Sequence, residues 1–262
     1  MHLQTLSSGS EGNATLVRAG EQSLLVDAGL GIRKLSERFE TVGLGLKTLD
    51  HVLVTHGHLD HSRSAGSVAK RQEAELHCAE KIMLHKSVAR APRKNVLRIG
   101  RDVDLVHPAG RGSEVKLRSV LLPHDCDPTV AFRLEHEDRV AVVLTDMGHP
   151  RREVADALTG AHVLVLEFNH DVEGLATGPY PPVLQNRIGG DRGHLSNEQA
   201  AQMLEWLAGP ELHTLVLAHL SKKSNTAERA ESVARHTLSR LGLDHVQVLV
   251  ASQDEVGPIL EV

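Results

Sequence analysis

Apolar residues fall in short runs bounded by Gly, Ser, Pro and charged residues, a pattern that predicts many brief strands rather than long helices. In the first part of the chain, strands are predicted at His2–Leu6, Ala14–Ala19, Gln22–Asp27, His51–Val54 and Glu75–Cys78. Gly20-Glu21 between the second and third is a hairpin signal. Ile32–Phe39 and Ser62–Arg71 show helical spacing, and a further helix is predicted over Ala79–Ala89, followed by a basic connector at Ala91–Asn95. Farther on, strands are predicted at Val103–Val106, Val115–Leu121, Val130–Leu134, Val140–Leu144, Ala161–Glu167, Leu212–Ala218 and Val246–Val250. Helices are predicted at Arg151–Leu158, Ser196–Ala208 and Thr226–Leu241; Ser196 and Gln199 fit a capping box. Gly174–His194 reads as a polar, irregular insertion, the kind of segment that more often carries function than fills space.

Composition narrows this. The 262 residues are 40% apolar, enough for one sizeable core. With three Phe, one Tyr and one Trp, that core must be built from Val, Leu and Ala, and extensive stacking on nucleobases is disfavoured. A net charge of −5 excludes a broadly basic surface, so a nucleic-acid partner would need a local patch or help from metals. Cys78 and Cys126 do not make a disulfide framework. Neither a secretory pattern nor an apolar run of membrane-spanning length is evident, and a cytoplasmic address is expected.

The count of 18 histidines changes the picture most, because four metal-type ligands fall within six residues: His56, His58, Asp60 and His61. They follow the buried strand His51–Val54, and Gly57 lets the backbone turn. His56 and His58 lie on one side of an extended loop and can reach one metal. Asp60 and His61 enter the next turn and suit a second. Imidazole with carboxylate favours zinc, manganese or iron over calcium. His77 and His85 are expected to be surface or packing residues.

This HxHxDH stretch resembles the signature of the metallo-β-lactamase fold superfamily. The resemblance implies an α/β fold, a four-layer αββα sandwich of two pseudo-symmetric halves divided near residue 125, in one domain over residues 1–262. It implies a hydrolase with two divalent metals, Zn or Mn with Fe as an option. His124 would complete the first metal with His56 and His58; His219 would complete the second with Asp60 and His61, with His194 its competitor. Asp146 would bridge the ions, Asp60 and Asp146 would be the catalytic carboxylates, and Asp27 would support the metal loop without ligating. Two such cations lower the pKa of water between them and polarise the oxygen under attack. Cys126 is read as a packing residue.

Further stretches, Ser8–Asn13, Leu166–Asp171, Gly178–Pro181, Arg192–Asn197 and Leu217–Lys222, resemble the YycJ/WalJ branch, bacterial proteins regarded as DNA exonucleases acting from a 5′ end. His149 and Cys126 depart from that pattern, which has tyrosine and a small residue there. The branch implies a 5′-phosphorylated DNA end as partner, RNA being the alternative, and no membrane. Arginine forks and small polar groups suit phosphate oxygens, so Ser8, Ser10, Asn169, His170, Arg187, Arg192, His194, Ser221 and Lys222 are the candidate substrate contacts. The metals alone leave lactones, thioesters and lactams open as substrates. A flavodiiron-type oxidoreductase is disfavoured because His58 stands where that group has Glu. Oligomeric state is left open.

Overall fold

The computed structural model describes residues 1–45 and 48–262. Its strands are β1 (His2–Ser7), β2 (Ala14–Ala19), β3 (Gln22–Val26), β4 (His51–Leu53), β5 (Glu75–Cys78), β6 (Arg93–Val96), β7 (Asp102–Leu105), β8 (Val115–Leu122), β9 (Thr129–His136), β10 (Arg139–Leu144), β11 (Val163–Glu167), β12 (Thr214–Ala218), β13 (Gln247–Val250) and β14 (Leu260–Glu261). Its helices are α1 (Ile32–Thr41), α2 (Leu59–Ser62), α3 (Ala65–Gln72), α4 (Arg152–Ala157), α5 (Val172–Thr177), α6 (Pro182–Ile188), α7 (Asn197–Leu207) and α8 (Ala227–Arg240). Two mixed sheets result, ordered β14-β1-β2-β3-β4-β5-β6 and β13-β12-β11-β10-β9-β8-β7. In the first, β1, β2 and β3 are antiparallel and β3 through β6 parallel; in the second, β10 through β13 are parallel. Both sheets thus pass from antiparallel to parallel strands, the repeated plan that the resemblance implies.

The chain divides into two compact units. One comprises Met1–Ser119, Leu134–Arg139 and Ser252–Val262; the other, Val120–Arg133 and Val140–Ala251. The division is therefore not a single cut near residue 125. The chain's end returns to the first unit because β14 pairs with β1, His2 against Glu261.

Each unit has its own apolar core. In the first, Leu35 and Phe39 of α1 and Val68 and Ala69 of α3 pack with Leu25, Val52 and Leu76 of the sheet. In the second, Met203, Leu204 and Leu207 of α7 and Ala230, Ala234 and Leu238 of α8 pack with Leu164, Leu166, Leu215 and Leu217. β11 and β12 are buried along their whole length, which is why they read as uninterrupted apolar runs. The capping box at Ser196 is present, with Gln199 N donating to Ser196 Oγ and the Ser196 N–H donating to the Gln199 side chain.

Three predicted elements are corrected. Ala79–Ala89 is not one helix but two 3₁₀ turns, Glu80–Leu84 and Lys86–Val88, with His85 extended between them. Here α3 sets the path: a Cβ on Gly66 would stand 2.7 Å from the Ser87 carbonyl oxygen, so the backbones touch. The insertion Gly174–His194 is not irregular, since it contains the end of α5 and all of α6. Asp171 caps α5 by accepting from Gly174 N at 2.7 Å, and Pro182 opens α6 at a position where no amide donor is needed. The connector expected at Ala91–Asn95 instead runs into the edge strand β6, Arg93–Val96, beside β5.

Cys78 is fully buried, and burial pushes its thiol up to about 11, whereas Cys126 is half-buried. Thiolate is the form that reacts. Native protein treated with iodoacetamide at pH 8 is therefore expected to take label only at Cys126, and denatured protein at both; peptide mass mapping reads the result. Labelling of Cys78 in the native state would mean that the first unit's core opens readily.

Candidate metal centre

The first unit brings the HxHxDH loop from the carboxyl end of β4 into α2 and braces it from the end of β3. Asp27 is the brace. Its Oδ1 accepts from the Thr55 amide at 2.8 Å, and its Oδ2 from Thr55 Oγ1 at 2.8 Å and His61 Nδ1 at 2.7 Å. Burial pushes the Asp27 carboxyl up, against the downward pull of His61 and Thr55. Donation from Nδ1 leaves the His61 lone pair on Nε2, which lies 3.0 Å from Asn13 Nδ2 and 3.5 Å from Asp60 Oδ2. Orientation of an imidazole through its other ring nitrogen is how proteins prepare metal ligands. The His56 ring centre lies 4.8 Å from that of His58 and 4.2 Å from that of His61. Backbone bonds fasten the loop to its brace: Asn13 N to Asp60 O at 2.7 Å, Ala28 N to His61 O at 2.7 Å and Gly29 N to Asn13 O at 2.9 Å. Ser8 is buried and Ser10 exposed on the turn preceding Asn13.

The second unit gathers its donors at the ends of β8, β10, β11 and β12. Asp146, Glu167, His194 and His219 present ligand atoms all within 4.8 Å of one another. Asp146 Oδ1 is 3.5 Å from His194 Nδ1, 3.8 Å from His219 Nε2 and 3.9 Å from His124 Nε2. Glu167, fully buried, accepts at Oε1 from His194 Nδ1 (2.9 Å) and His219 Nδ1 (3.1 Å), and at Oε2 from the amides of Met147 and Leu195, both at 3.1 Å. Burial alone would raise this carboxyl, but the charge of His194 and the hydrogen bonds from both histidines hold it at about 2. His124 Nδ1 donates to Gly193 O at 2.9 Å, so His124 and His219 both turn Nε2 toward Asp146. His194 belongs to this group as fully as His219, their rings stacking at 5.2 Å.

Both units thus offer buried imidazoles with an oriented tautomer beside carboxylates, the donor chemistry of zinc, manganese or iron. Backbone strain marks the same places. Five described non-glycine residues have positive φ, and three are Asp27 (62°), Asp146 (63°) and His219 (55°), each just past a strand end. Non-glycine residues held there carry strain that tends to collect at functional sites.

The remaining predicted contacts have assorted surroundings. Asn169 Nδ2 donates to His219 O at 2.9 Å and so braces that histidine. Arg192 Nε donates to His124 O at 2.9 Å, and Arg187 pairs with Asp125 at 2.6 Å. Ser221 is buried, with Tyr180 Oη 3.4 Å from its hydroxyl, while Lys222 is exposed. His170 is buried, its imidazole held below its usual pKa by that burial, and it lines a cavity of about 670 Å³ with Gln185, Asn186 and Gln199. His149 Nδ1 lies 2.7 Å from Asp191 O. Cys126 belongs to none of the donor groups among the described residues.

Sequence reasoning gave no role to Glu167, Asn13 or Thr55. Glu167 had a signal, a carboxylate closing an otherwise apolar strand, but its partners His194 and His219 are 27 and 52 residues away.

Residues 8–219 match the metallo-beta-lactamase superfamily. The chain is 29% identical over 267 residues to exodeoxyribonuclease WalJ of Streptococcus pneumoniae (strain D39), covering 98% of this chain and 96% of the relative. It is 30% identical over 246 residues to exodeoxyribonuclease YycJ of Bacillus anthracis, covering 92% and 90%. Among solved structures, the metallo-beta-lactamase fold protein YhfI from Bacillus subtilis superposes with a TM-score of 0.71 at 16% identity, over 100% of this chain and 99% of that one. Among the described residues no helix is long and apolar enough to cross a membrane.

Proposed function

The chain belongs to the metallo-β-lactamase superfamily, in its YycJ/WalJ branch, and is a metal-dependent hydrolase; from that premise we propose that it hydrolyses phosphodiester bonds of DNA, as an exonuclease acting from a 5′ end. The observation that carries this is likeness along nearly the whole chain to two exodeoxyribonucleases. In this reading His56, His58, His124, Asp60, His61, Asp146 and His219 would hold two divalent ions, manganese or zinc. Bound there, such ions would supply Lewis acidity and lower the pKa of water. The side chains do the rest. Asp27 and Glu167 fix the tautomers of the histidines they bind. Asp60, partly open to solvent, takes up a proton from attacking water at its carboxylate. Arg192 and Ser221 offer donors to phosphate oxygens, so that recognition reads the backbone and not the sequence.

Incubation with 5′-phosphorylated linear DNA, with manganese or zinc, is expected to release nucleotides from the 5′ end and to leave a covalently closed circle intact. Inertness toward DNA and RNA with either metal, together with turnover of a lactone, thioester or lactam, would sink the reading.

A further inference from the structure

The first unit holds a second set of metal-type donors, at the opposite end of β4 from the HxHxDH loop. His51 opens β4, directly across the parallel pair from Glu75 of β5, and His77 follows Glu75 two residues on. Side chains two apart share a face of a strand, so all three lie together, with ligand atoms within 4.8 Å of one another.

The arrangement goes beyond proximity. Gln22 Nε2 donates to two carbonyls, Leu105 O at 3.1 Å and Ser113 O at 2.8 Å, which settles the orientation of its amide. Its oxygen therefore faces His51 Nε2, at 3.1 Å, and accepts that nitrogen's proton. His51 is left with its lone pair on Nδ1, aimed at His77 Nε2 3.0 Å away. Two nitrogens bound to one tetrahedral zinc stand about 3.3 Å apart, so little movement separates this pair from a ligating one. Both rings are buried, and burial lowers both pKa values, that of His77 to about 3, keeping them neutral as ligands must be. Glu75 is steered by Asn95 Nδ2 at 2.9 Å and by Arg93 Nε at 3.6 Å. The three donors line a cavity of about 760 Å³, which leaves room for water as a fourth ligand.

We propose that His51, Glu75 and His77 bind one divalent transition metal ion, zinc by donor class, at a site separate from that of the HxHxDH loop. His77 is then a ligand and not the packing residue its sequence context suggested. The ion would fasten β4 to β5 at their amino-terminal ends, where the neighbouring strand β6 is an exposed edge.

Cobalt(II) serves as the probe, in equilibrium dialysis of the metal-stripped full chain followed by elemental analysis. The His77→Gln chain is expected to hold one cobalt equivalent fewer than the unaltered chain. Glu75→Gln, at a half-exposed side chain, is expected to weaken that equivalent by more than the about 10–100-fold that loss of a supporting contact brings, and it carries the test if His77→Gln does not fold. Equal cobalt content and affinity in the unaltered and Glu75→Gln chains would overturn the proposal.

Discussion

Asp60→Ala is expected to slow phosphodiester hydrolysis by about 10²–10⁴-fold, the range that positioned proton transfer contributes, while leaving the thermal unfolding midpoint close to that of the unaltered chain. The two effects separate because the residue does two jobs with different atoms. Its backbone carbonyl accepts from Asn13 N and so fastens the loop, which alanine preserves. Its carboxylate, with 22% of the side chain exposed, faces His61 Nε2. Alanine also suits the helical backbone of α2. Initial rates at saturating manganese, beside calorimetric melting of both chains, make the check. A rate within a few-fold of the unaltered chain would remove Asp60 from the chemistry, and a large fall in melting temperature would move its role to the fold.

Gly29→Ala is expected to do the reverse, damaging fold and site together. A Cβ at Gly29 would stand 1.6 Å from the Asp60 carbonyl oxygen, 2.2 Å from its carbonyl carbon and 2.8 Å from Asn13 N. All three are backbone atoms, so no side chain can swing aside. Either the Asp27–Gly29 bend or the loop carrying Asp60 and His61 must move. Overpacking of this kind costs about 1–3 kcal/mol, and displaced ligands are expected to cost at least about tenfold in metal affinity. Gly31→Ala is the control: nothing lies within 4 Å of its Cβ, and as the N-cap of α1 it is expected to change stability by about 1 kcal/mol or less. Denaturant unfolding and metal titration of both variants test the contrast. Equal behaviour of the two would mean that the bend is not tight in solution.

What the sequence discloses depends on how local the cause is. The HxHxDH loop is legible because four donors lie within one short stretch whose chemistry needs no partner to be recognised. The strands are legible because burial on both faces writes an apolar run, as in β11 and β12. His124, Asp146 and His219 follow such runs, but only the family resemblance gave them roles. Glu167 escaped because one carboxylate at a strand end says nothing of two histidines arriving from later segments. Gln22, His51 and His77 escaped for the same reason, each reading as an ordinary strand residue until the sheet sets them side by side. The 79–89 segment has helical composition, yet close contact with Gly66 bends it into two turns, a tertiary effect that local preference cannot register. Asp171 before α5 and Pro182 at the start of α6 are local signals, but the glycines and prolines around them made the segment read as an irregular insertion.

The left-handed backbone at Asp27, Asp146 and His219 bears on any effort to make this chain more robust. Each such residue costs about 1 kcal/mol or more relative to a relaxed conformation, and glycine would relieve it. A search for heat-resistant variants would therefore be drawn to these three positions first. It would gain durability there by removing Asp27, which holds His61, and Asp146 and His219, which belong to the donor clusters. Selection for endurance and selection for turnover would therefore pull in opposite directions at these strand ends.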